Sequence, residues 1–73
     1  MTMDEIVGYN IRKRRKIIKM SQETLADNAH VSRQHIYELE YGRKSATVST
    51  LYKLSKVLRV KIDYFFTAVE AKS

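Results

Sequence analysis

The chain has 73 residues, which suffice for one small domain with a thin hydrophobic core. It contains no cysteine, so disulfides and thiolate metal sites are excluded. Its 14 Lys and Arg residues against 8 Asp and Glu residues give a formal net charge of +6, which favours a polyanionic partner, either nucleic acid or an anionic membrane surface. No apolar run approaches the roughly 20 residues that span a bilayer, so we expect a soluble cytoplasmic protein.

The first predicted helix begins near Thr2. Thr2 and Glu5 have the spacing of a capping box, in which each side chain accepts a hydrogen bond from the other residue's backbone N–H. The apolar positions that follow lie on one face at helical spacing: Val7, Ile11 and Ile18. This pattern predicts a helix that packs that face against the rest of the domain.

Two shorter helices are predicted next. Ser21 caps a helix that ends near Ala29, and Ser32 caps another that ends at Tyr41 and Gly42, where glycine suits the left-handed conformation that follows a helix. The residues expected to face inward are Leu25, Ala26, Ile36 and Leu39.

Thr47 caps a fourth predicted helix, and residues 62–66 supply a short fifth one. The apolar stripe of the fourth helix consists of Val48, Leu51, Leu54 and Leu58. The sequence has no proline and no long alternating β-pattern, so we predict an all-α, compact five-helix bundle. We expect the domain to occupy residues 1–66 and a polar, fraying tail to occupy residues 67–73.

The link between the second and third helices is only about three residues long. A link this short forces a steep crossing and lifts the third helix clear of the body, as in a helix-turn-helix. The outward side of the third helix then carries Ser32, Arg33, Gln34, Tyr37 and Glu38. Arg and Gln suit base edges because each can make two hydrogen bonds, Arg to guanine and Gln to adenine. The alternative is an ordinary solvated helix face.

From about Ile6 to Phe66 the chain resembles the Cro/phage-repressor family of helix-turn-helix regulators, also called the XRE family. The resemblance rests on Ser21-Gln22, Leu25-Ala26, Val31-Ser32, Ile36, Glu40, Gly42, Leu51, Leu54, Leu58, Val60 and Phe66. It implies a bundle of the phage-repressor type, with the second and third helices as the helix-turn-helix.

The resemblance also implies roles for individual residues. The expected base-reading residues are Ser32, Arg33, Gln34 and Glu38. For phosphate binding the resemblance implies Gln22, Tyr41, Arg43 and Lys44. From the outward face of the third helix we add Tyr37 and His35 as phosphate-binding residues, the alternative for His35 being a place at the helix flank without a contact. Gln22 should also brace the third helix, and Arg15 and Glu40 match a structural ion pair between the first and third helices.

The sequence departs from the family at three positions. His30 stands where glycine is common in the turn, and a His in the left-handed region costs about 1 kcal/mol, so the turn should survive. Ala46 replaces a common proline, which loosens the loop before the fourth helix. Glu38 is acidic at a base-reading position, so it must meet a cytosine amino group or turn away from phosphate.

Other candidate sites have more ordinary interpretations. Six basic residues lie between Arg12 and Lys19, and on a helix most of them should form a solvated face while one or two reach phosphate. His30 and His35 lack further ligands, so we expect no metal. The aromatic residues near the end could stack on bases, but core or dimer packing is the preferred interpretation. The expected dimer surface is formed by Ile62, Tyr64, Phe65 and Phe66.

The sequence thus predicts a sequence-specific, double-stranded DNA-binding regulator of transcription. We expect a homodimer on a two-fold symmetric operator, acting as a repressor that sterically excludes polymerase; the alternative is that it touches polymerase and activates instead. RNA polymerase and an antirepressor protein are further candidate partners. No nucleophile–base set and no phosphate loop is present, so neither catalysis nor a cofactor is expected. The alternative is an adaptor whose helix-turn-helix binds a protein.

Overall fold

The computed structural model describes residues 1–69, which form four α-helices and one 3-10 helix. The elements in chain order are α1 (Met3–Ile17), α2 (Gln22–Ala29), α3 (Arg33–Glu40), α4 (Val48–Leu58) and the 3-10 helix (Ile62–Phe66). The all-α prediction is confirmed, but only four of the five predicted helices are α-helices, and the short fifth one is a 3-10 helix. The segment is only five residues long and lies between the extended residues Lys61 and Thr67, which leaves room for little more than the tighter turns of a 3-10 helix.

The end of the described chain only partly covers the predicted tail. Residues 67–69 follow the 3-10 helix without helical structure. The remaining residues of the predicted tail, 70–73, lie outside the described residues.

All four predicted N-caps are present. Thr2 accepts a hydrogen bond from the Glu5 backbone N–H at 3.1 Å, and the Glu5 side chain accepts one from the Thr2 backbone N–H at 2.8 Å. Ser21, Ser32 and Thr47 each accept a hydrogen bond from the backbone N–H three residues on, at 3.0, 3.0 and 3.1 Å. These bonds satisfy donors that a helix leaves free at its start, so local sequence determines where each helix begins.

The turn between α2 and α3 is closed by His30 in the left-handed conformation, with φ 59° and ψ 42°. The backbone N–H of Val31 then bonds the Ala26 carbonyl at 3.0 Å, which satisfies an otherwise free acceptor at the end of α2. The turn therefore forms with histidine where the family commonly has glycine, as predicted.

The hydrophobic core lies between α1, the α2–α3 pair, α4 and the 3-10 helix. Its buried apolar residues are Val7, Ile11, Leu25, Ala26, Ala29, Ile36, Leu39, Leu51, Leu54, Leu58 and Phe65. The predicted stripe of α4 is wrong at Val48, which is 75% exposed. Val48 is the first residue of α4, and helical side chains lean toward the N-terminus, so this one points past the packed part of the helix.

Phe65 corrects part of the predicted dimer surface. Its side chain is 0% exposed in the single chain, so it belongs to the core and not to any surface. Asn10, buried on α1, donates through Nδ2 to the backbone carbonyls of Phe65 and Thr67, both at 2.9 Å. These two bonds hold the 3-10 helix against α1, and the Phe65 ring is directed inward.

Helices α1 and α3 approach each other very closely at Gly8. A Cβ atom at this position would collide with the backbone carbonyl oxygens of Leu39 and Glu40. Since backbone atoms cannot move aside as a flexible side chain can, only glycine allows this approach. The contact sets how far the end of α3 stands from α1.

Candidate nucleic-acid interface

Helix α3 presents one face to the core and the opposite face to solvent. Ile36 and Leu39 are 0% and 1% exposed and anchor the helix against α1 and α2. Ser32, Arg33 and Gln34, at the start of the helix, are all exposed. The structure therefore brings together, on one open surface, the first-turn residues predicted to read bases.

The end of α3 is attached to α1 by a buried ion pair, the Arg15–Glu40 clasp. Arg15 donates to the Glu40 carboxylate through Nε at 2.6 Å and through Nη2 at 2.9 Å, a two-point contact. Arg15 Nη1 also donates to the Met20 carbonyl at 2.9 Å, and Gln22 Nε2 donates to Glu40 Oε1 at 3.1 Å. The predicted pair is thus present, and Gln22 braces α3 through it.

A second, exposed network lies on the outer side of α3 and is here called the Glu38 network. Gln34 Nε2 donates to Glu38 Oε2 at 3.3 Å, and Lys44 Nζ lies 3.4 Å from Glu38 Oε1. The hydrogen bond from Gln34 is the largest single cause that lowers the pKa of the Glu38 carboxyl; desolvation opposes it, and Lys44 and His35 lower the pKa further. Glu38 is therefore ionised at neutral pH and faces two residues predicted to contact DNA.

Aromatic rings connect α3 to the loop that follows it. The ring centroids of Tyr37 and Tyr41 are 4.7 Å apart, and the Arg43 guanidinium carbon lies 5.7 Å from the Tyr37 centroid. This stack of Tyr37, Tyr41 and Arg43 places the loop cation next to the outer face of α3. Lys44, the next residue, has a side chain that is 59% exposed.

Two shallow hollows join the start of α2 to the start of α3. One, of about 410 Å³, is lined by Arg12, Arg15, Lys16, Ser21, Gln22, Glu23, Arg33 and Tyr41. The other, of about 250 Å³, is lined by Gln22, Arg33, Gln34 and Tyr37. Residues far apart in sequence are thus brought to one surface, rich in donors and positive charge.

Arg12 and Lys16 were not assigned individually from the sequence. The sequence indicates only that one or two of the six basic residues of this stretch reach phosphate. Their i, i+4 spacing puts Arg12 and Lys16 on one side of α1. The starts of α2 and α3 lie on that side, and both basic residues line the larger hollow there. The spacing is a usable signal only once the neighbour of that face is known.

The remaining predicted site residues are more scattered. His35 is half-buried, and its backbone N–H bonds the Ser32 cap at 3.0 Å. Ile62 and Tyr64 are partly buried against the core, whereas Phe66 is 45% exposed. Of the predicted dimer surface, Phe66 is therefore the residue that offers most apolar area to a partner.

The described residues contain no group of three or more His, Cys, Asp or Glu side chains that could hold a metal ion. Within the same residues, no helix is both long enough and apolar enough to cross a membrane.

Comparison with known proteins gives consistent matches. A sequence model of the family described as HTH_3, helix-turn-helix, matches residues 11–65. An uncharacterized transcriptional regulator in the ATPase CF(0) region of Rhodospirillum rubrum is 44% identical over 68 residues, covering 93% of this chain and 63% of the relative. The control protein C.SmaI of Serratia marcescens is 34% identical over 67 residues, covering 92% of this chain and 80% of the relative.

Among solved structures, the restriction-modification controller protein C.AhdI from Aeromonas hydrophila superposes with a TM-score of 0.83. It is 25% identical, and the match covers 86% of this chain and 96% of that one. The chain spans 63% of the length of the Rhodospirillum rubrum relative and 46% of that of a regulator from Sinorhizobium medicae.

Proposed function

The chain belongs to the helix-turn-helix family, and from this we propose that it is a sequence-specific regulator of transcription that binds double-stranded DNA through α3. The observation that carries the proposal is the position of Arg33 and Gln34. Both are exposed in the first turn of α3, the part of a recognition helix that enters the major groove. Each side chain can make a two-point contact with a base edge, Arg33 with guanine and Gln34 with adenine.

The mounting of α3 supports this role. A reading helix must be held in a defined orientation, because base contacts require side chains to reach fixed donor and acceptor positions. The Arg15–Glu40 clasp and the close approach at Gly8 attach the far end of α3 to α1. Ser32 caps the near end and lies beside the proposed base contacts.

Phosphate contacts would come from the surfaces on either side of α3. On one side lie the two hollows with Arg12, Lys16 and Gln22, and on the other lie Arg43 and Lys44 in the loop. Tyr37 and Tyr41, which line one hollow each, and His35 of α3 would complete the proposed set of backbone contacts. Such contacts position the protein and carry no sequence information by themselves.

We propose further that the protein acts as a homodimer on a two-fold symmetric operator. One copy presents one recognition helix, which reads too few base pairs to select a single site in a genome. Phe66, with the exposed parts of Ile62 and Tyr64, is the proposed contact between copies, and half-sites would lie about one helical turn apart. The bound dimer would then sterically exclude polymerase from the operator, so we propose that the protein acts as a repressor.

The relatives suggest a first context for this regulation. C.AhdI, which matches over nearly its whole length, is a restriction-modification controller protein. We therefore propose control of restriction-modification genes as the first context to test. RNA polymerase and an antirepressor protein stay candidate partners.

The proposal is tested by selecting bound sequences from random duplex DNA and then measuring variants on the selected and on scrambled duplexes. Arg33→Ala and Gln34→Ala should each reduce discrimination by about 1–3 kcal/mol and hardly change affinity for scrambled DNA. Arg43→Ala, which removes a proposed phosphate contact that Glu38 does not hold, should weaken both complexes by a similar factor and make the salt dependence shallower by about one unit.

If wild type binds no duplex, or if Arg33→Ala and Gln34→Ala leave the specific-to-scrambled ratio intact, α3 is not the reading element. The fold would then serve as an adaptor for a protein partner, the alternative that the sequence also allows.

A further inference from the structure

Glu38 is the one acidic side chain that α3 presents to solvent. The helix contains two glutamates, and the other, Glu40, is buried in the clasp with Arg15. The side chains that act on its carboxylate, Gln34, Lys44 and His35, are amide-bearing or basic, in a chain with a formal net charge of +6. A carboxylate in this position opposes the approach of phosphate, so its presence needs a reason beyond charge balance.

We propose that Glu38 is a specificity-determining residue that holds Gln34 and Lys44 away from random DNA, an inference that rests on the proposed function. Glu38 contacts one group proposed to read a base and one proposed to grip phosphate, at 3.3 and 3.4 Å. Before Gln34 or Lys44 can contact DNA, it must give up its contact with Glu38. The carboxylate thus acts as an internal competitor: it competes with DNA for these two side chains.

The nature of the base edge decides whether that exchange is favourable. Cytosine N4 and adenine N6 present amino donors in the major groove, and a carboxylate can accept from them. On such a site Glu38 gains a new partner, and Gln34 and Lys44 are released to theirs. Guanine presents only acceptors there, and thymine presents an acceptor and a methyl group. Opposite these bases the carboxylate finds no donor, so the Glu38–Lys44 ion pair persists.

Binding to random DNA depends mostly on phosphate contacts, so the loss of one lysine weakens it directly. Glu38 therefore costs affinity on random sequences and little or nothing on a matched site. This is discrimination by an unfavourable element, which raises the ratio of specific to non-specific binding without adding a favourable contact elsewhere.

The test compares wild type, Glu38→Gln, Lys44→Gln and the double variant on the selected operator and on a random duplex, each at several salt concentrations. Glu38→Gln should bind random DNA about threefold to tenfold more tightly, with a salt dependence steeper by about one unit. The specific-to-random ratio should fall by about tenfold. In the Lys44→Gln background, Glu38→Gln should not increase the affinity for random DNA, because the lysine that Glu38 would otherwise hold is absent.

Asp63→Asn is the matched control. It also raises the net charge by one, but it lies on the 3-10 helix, which packs mainly against α1 and α4. It should leave random-DNA affinity within about twofold of wild type, since Asp63 lies on a different element from Gln34, Glu38 and Lys44.

The inference is overturned if Glu38→Gln behaves like Asp63→Asn, if its gain persists without Lys44, or if the ratio does not fall. Failure of the proposed function looks different. In that case wild type shows no preference for any duplex, or Arg33→Ala and Gln34→Ala leave the preference unchanged.

Discussion

Two glutamates on the same helix, Glu38 and Glu40, show how differently α3 uses one residue type. Glu40 has a fully buried side chain and meets Arg15 at 2.6 and 2.9 Å, with Gln22 as a third partner. The Glu38 side chain is 23% exposed and meets Gln34 and Lys44 at 3.3 and 3.4 Å. The inner glutamate therefore fixes the helix, whereas the outer one makes contacts that a ligand can replace.

The difference has an energetic basis. An exposed ion pair contributes about 0–1 kcal/mol because water screens it and holding long side chains costs entropy. A buried pair is not necessarily more stabilising than apolar packing, but removing one partner leaves an uncompensated charge, which costs about 3–5 kcal/mol. The two faces of α3 should thus respond differently to mutation: changes on the inner face, at Glu40, should affect folding, and changes on the outer face, at Glu38, should affect binding.

The clasp should give the largest effect. We expect Arg15→Met and Glu40→Met each to lower the free energy of unfolding by about 3–5 kcal/mol, because each leaves the other charge buried without its partner. The double variant should be more stable than either single variant, since apolar side chains then fill the site. Denaturant unfolding of all three proteins and wild type measures this.

Lys13→Ala, an exposed substitution on α1, is the control and should change stability by no more than about 0.5 kcal/mol. Simple additivity of the two methionine substitutions would contradict the picture of a coupled buried pair.

The second-largest effect is expected at Gly8, where α1 and α3 approach each other closely next to the clasp. Gly8→Ala adds a methyl group where the carbonyls of Leu39 and Glu40 already lie, so α3 must move or α1 must bend. We expect a loss of about 1–3 kcal/mol, the usual range for overpacking, even though alanine favours helices more than glycine does. Thermal unfolding monitored by circular dichroism checks the sign.

A Gly8→Ala protein as stable as wild type would mean that α1 and α3 can separate without cost. The fixed mounting proposed for the recognition helix would then lose its basis.

The smallest effect lies in the Glu38 network. Gln34→Ala removes the main cause of the lowered pKa of Glu38, so the pKa should rise toward the ordinary glutamate value of about 4.3. Because the folded-state pKa is lowered, the contribution of this network to stability is present above that ordinary value and is lost as the pH falls through the lowered pKa. Carbon-detected NMR titration of the Glu38 carboxyl measures the change.

Lys44→Gln should also raise this pKa, and Asp63→Asn should leave it where it is. An unchanged pKa in Gln34→Ala would show that the amide does not contact the carboxylate in solution, and it would weaken the case for Glu38 as an internal competitor.

Local signals made much of the fold predictable. The caps at Thr2, Ser21, Ser32 and Thr47 each satisfy donors within one helical turn, so no distant residue is needed to form them. Gly42 adopts the left-handed conformation, with φ 69°, just after the end of α3. This too is a local signal, because glycine adopts that conformation without the steric cost of a side chain. Helix starts and the two-helix unit therefore follow from neighbouring residues.

Errors arose where the outcome depends on neighbours from elsewhere in the chain. Val48 fits the apolar pattern of α4, but no packed element covers the first turn on that side, so it is exposed. The cluster of aromatic residues near the end predicts a dimer surface that includes Phe65. Asn10 holds that segment so that Phe65 fills the core instead, and a polar residue on α1 gave no sign of this.

The sequence by itself determined that the chain is helical, where its helices start, and that a short turn separates two of them with Arg33 and Gln34 on the outer side. These properties depend on contacts between residues a few positions apart. Only the tertiary structure decided that two backbone carbonyls of α3 pack directly against Gly8. It also decided that Arg12 and Lys16 line a hollow with Arg33. Finally, it decided that Glu38 contacts both Gln34 and Lys44. The first two depend on how whole helices pack, and the third also on the path of the loop after α3, which spacing along the sequence does not encode.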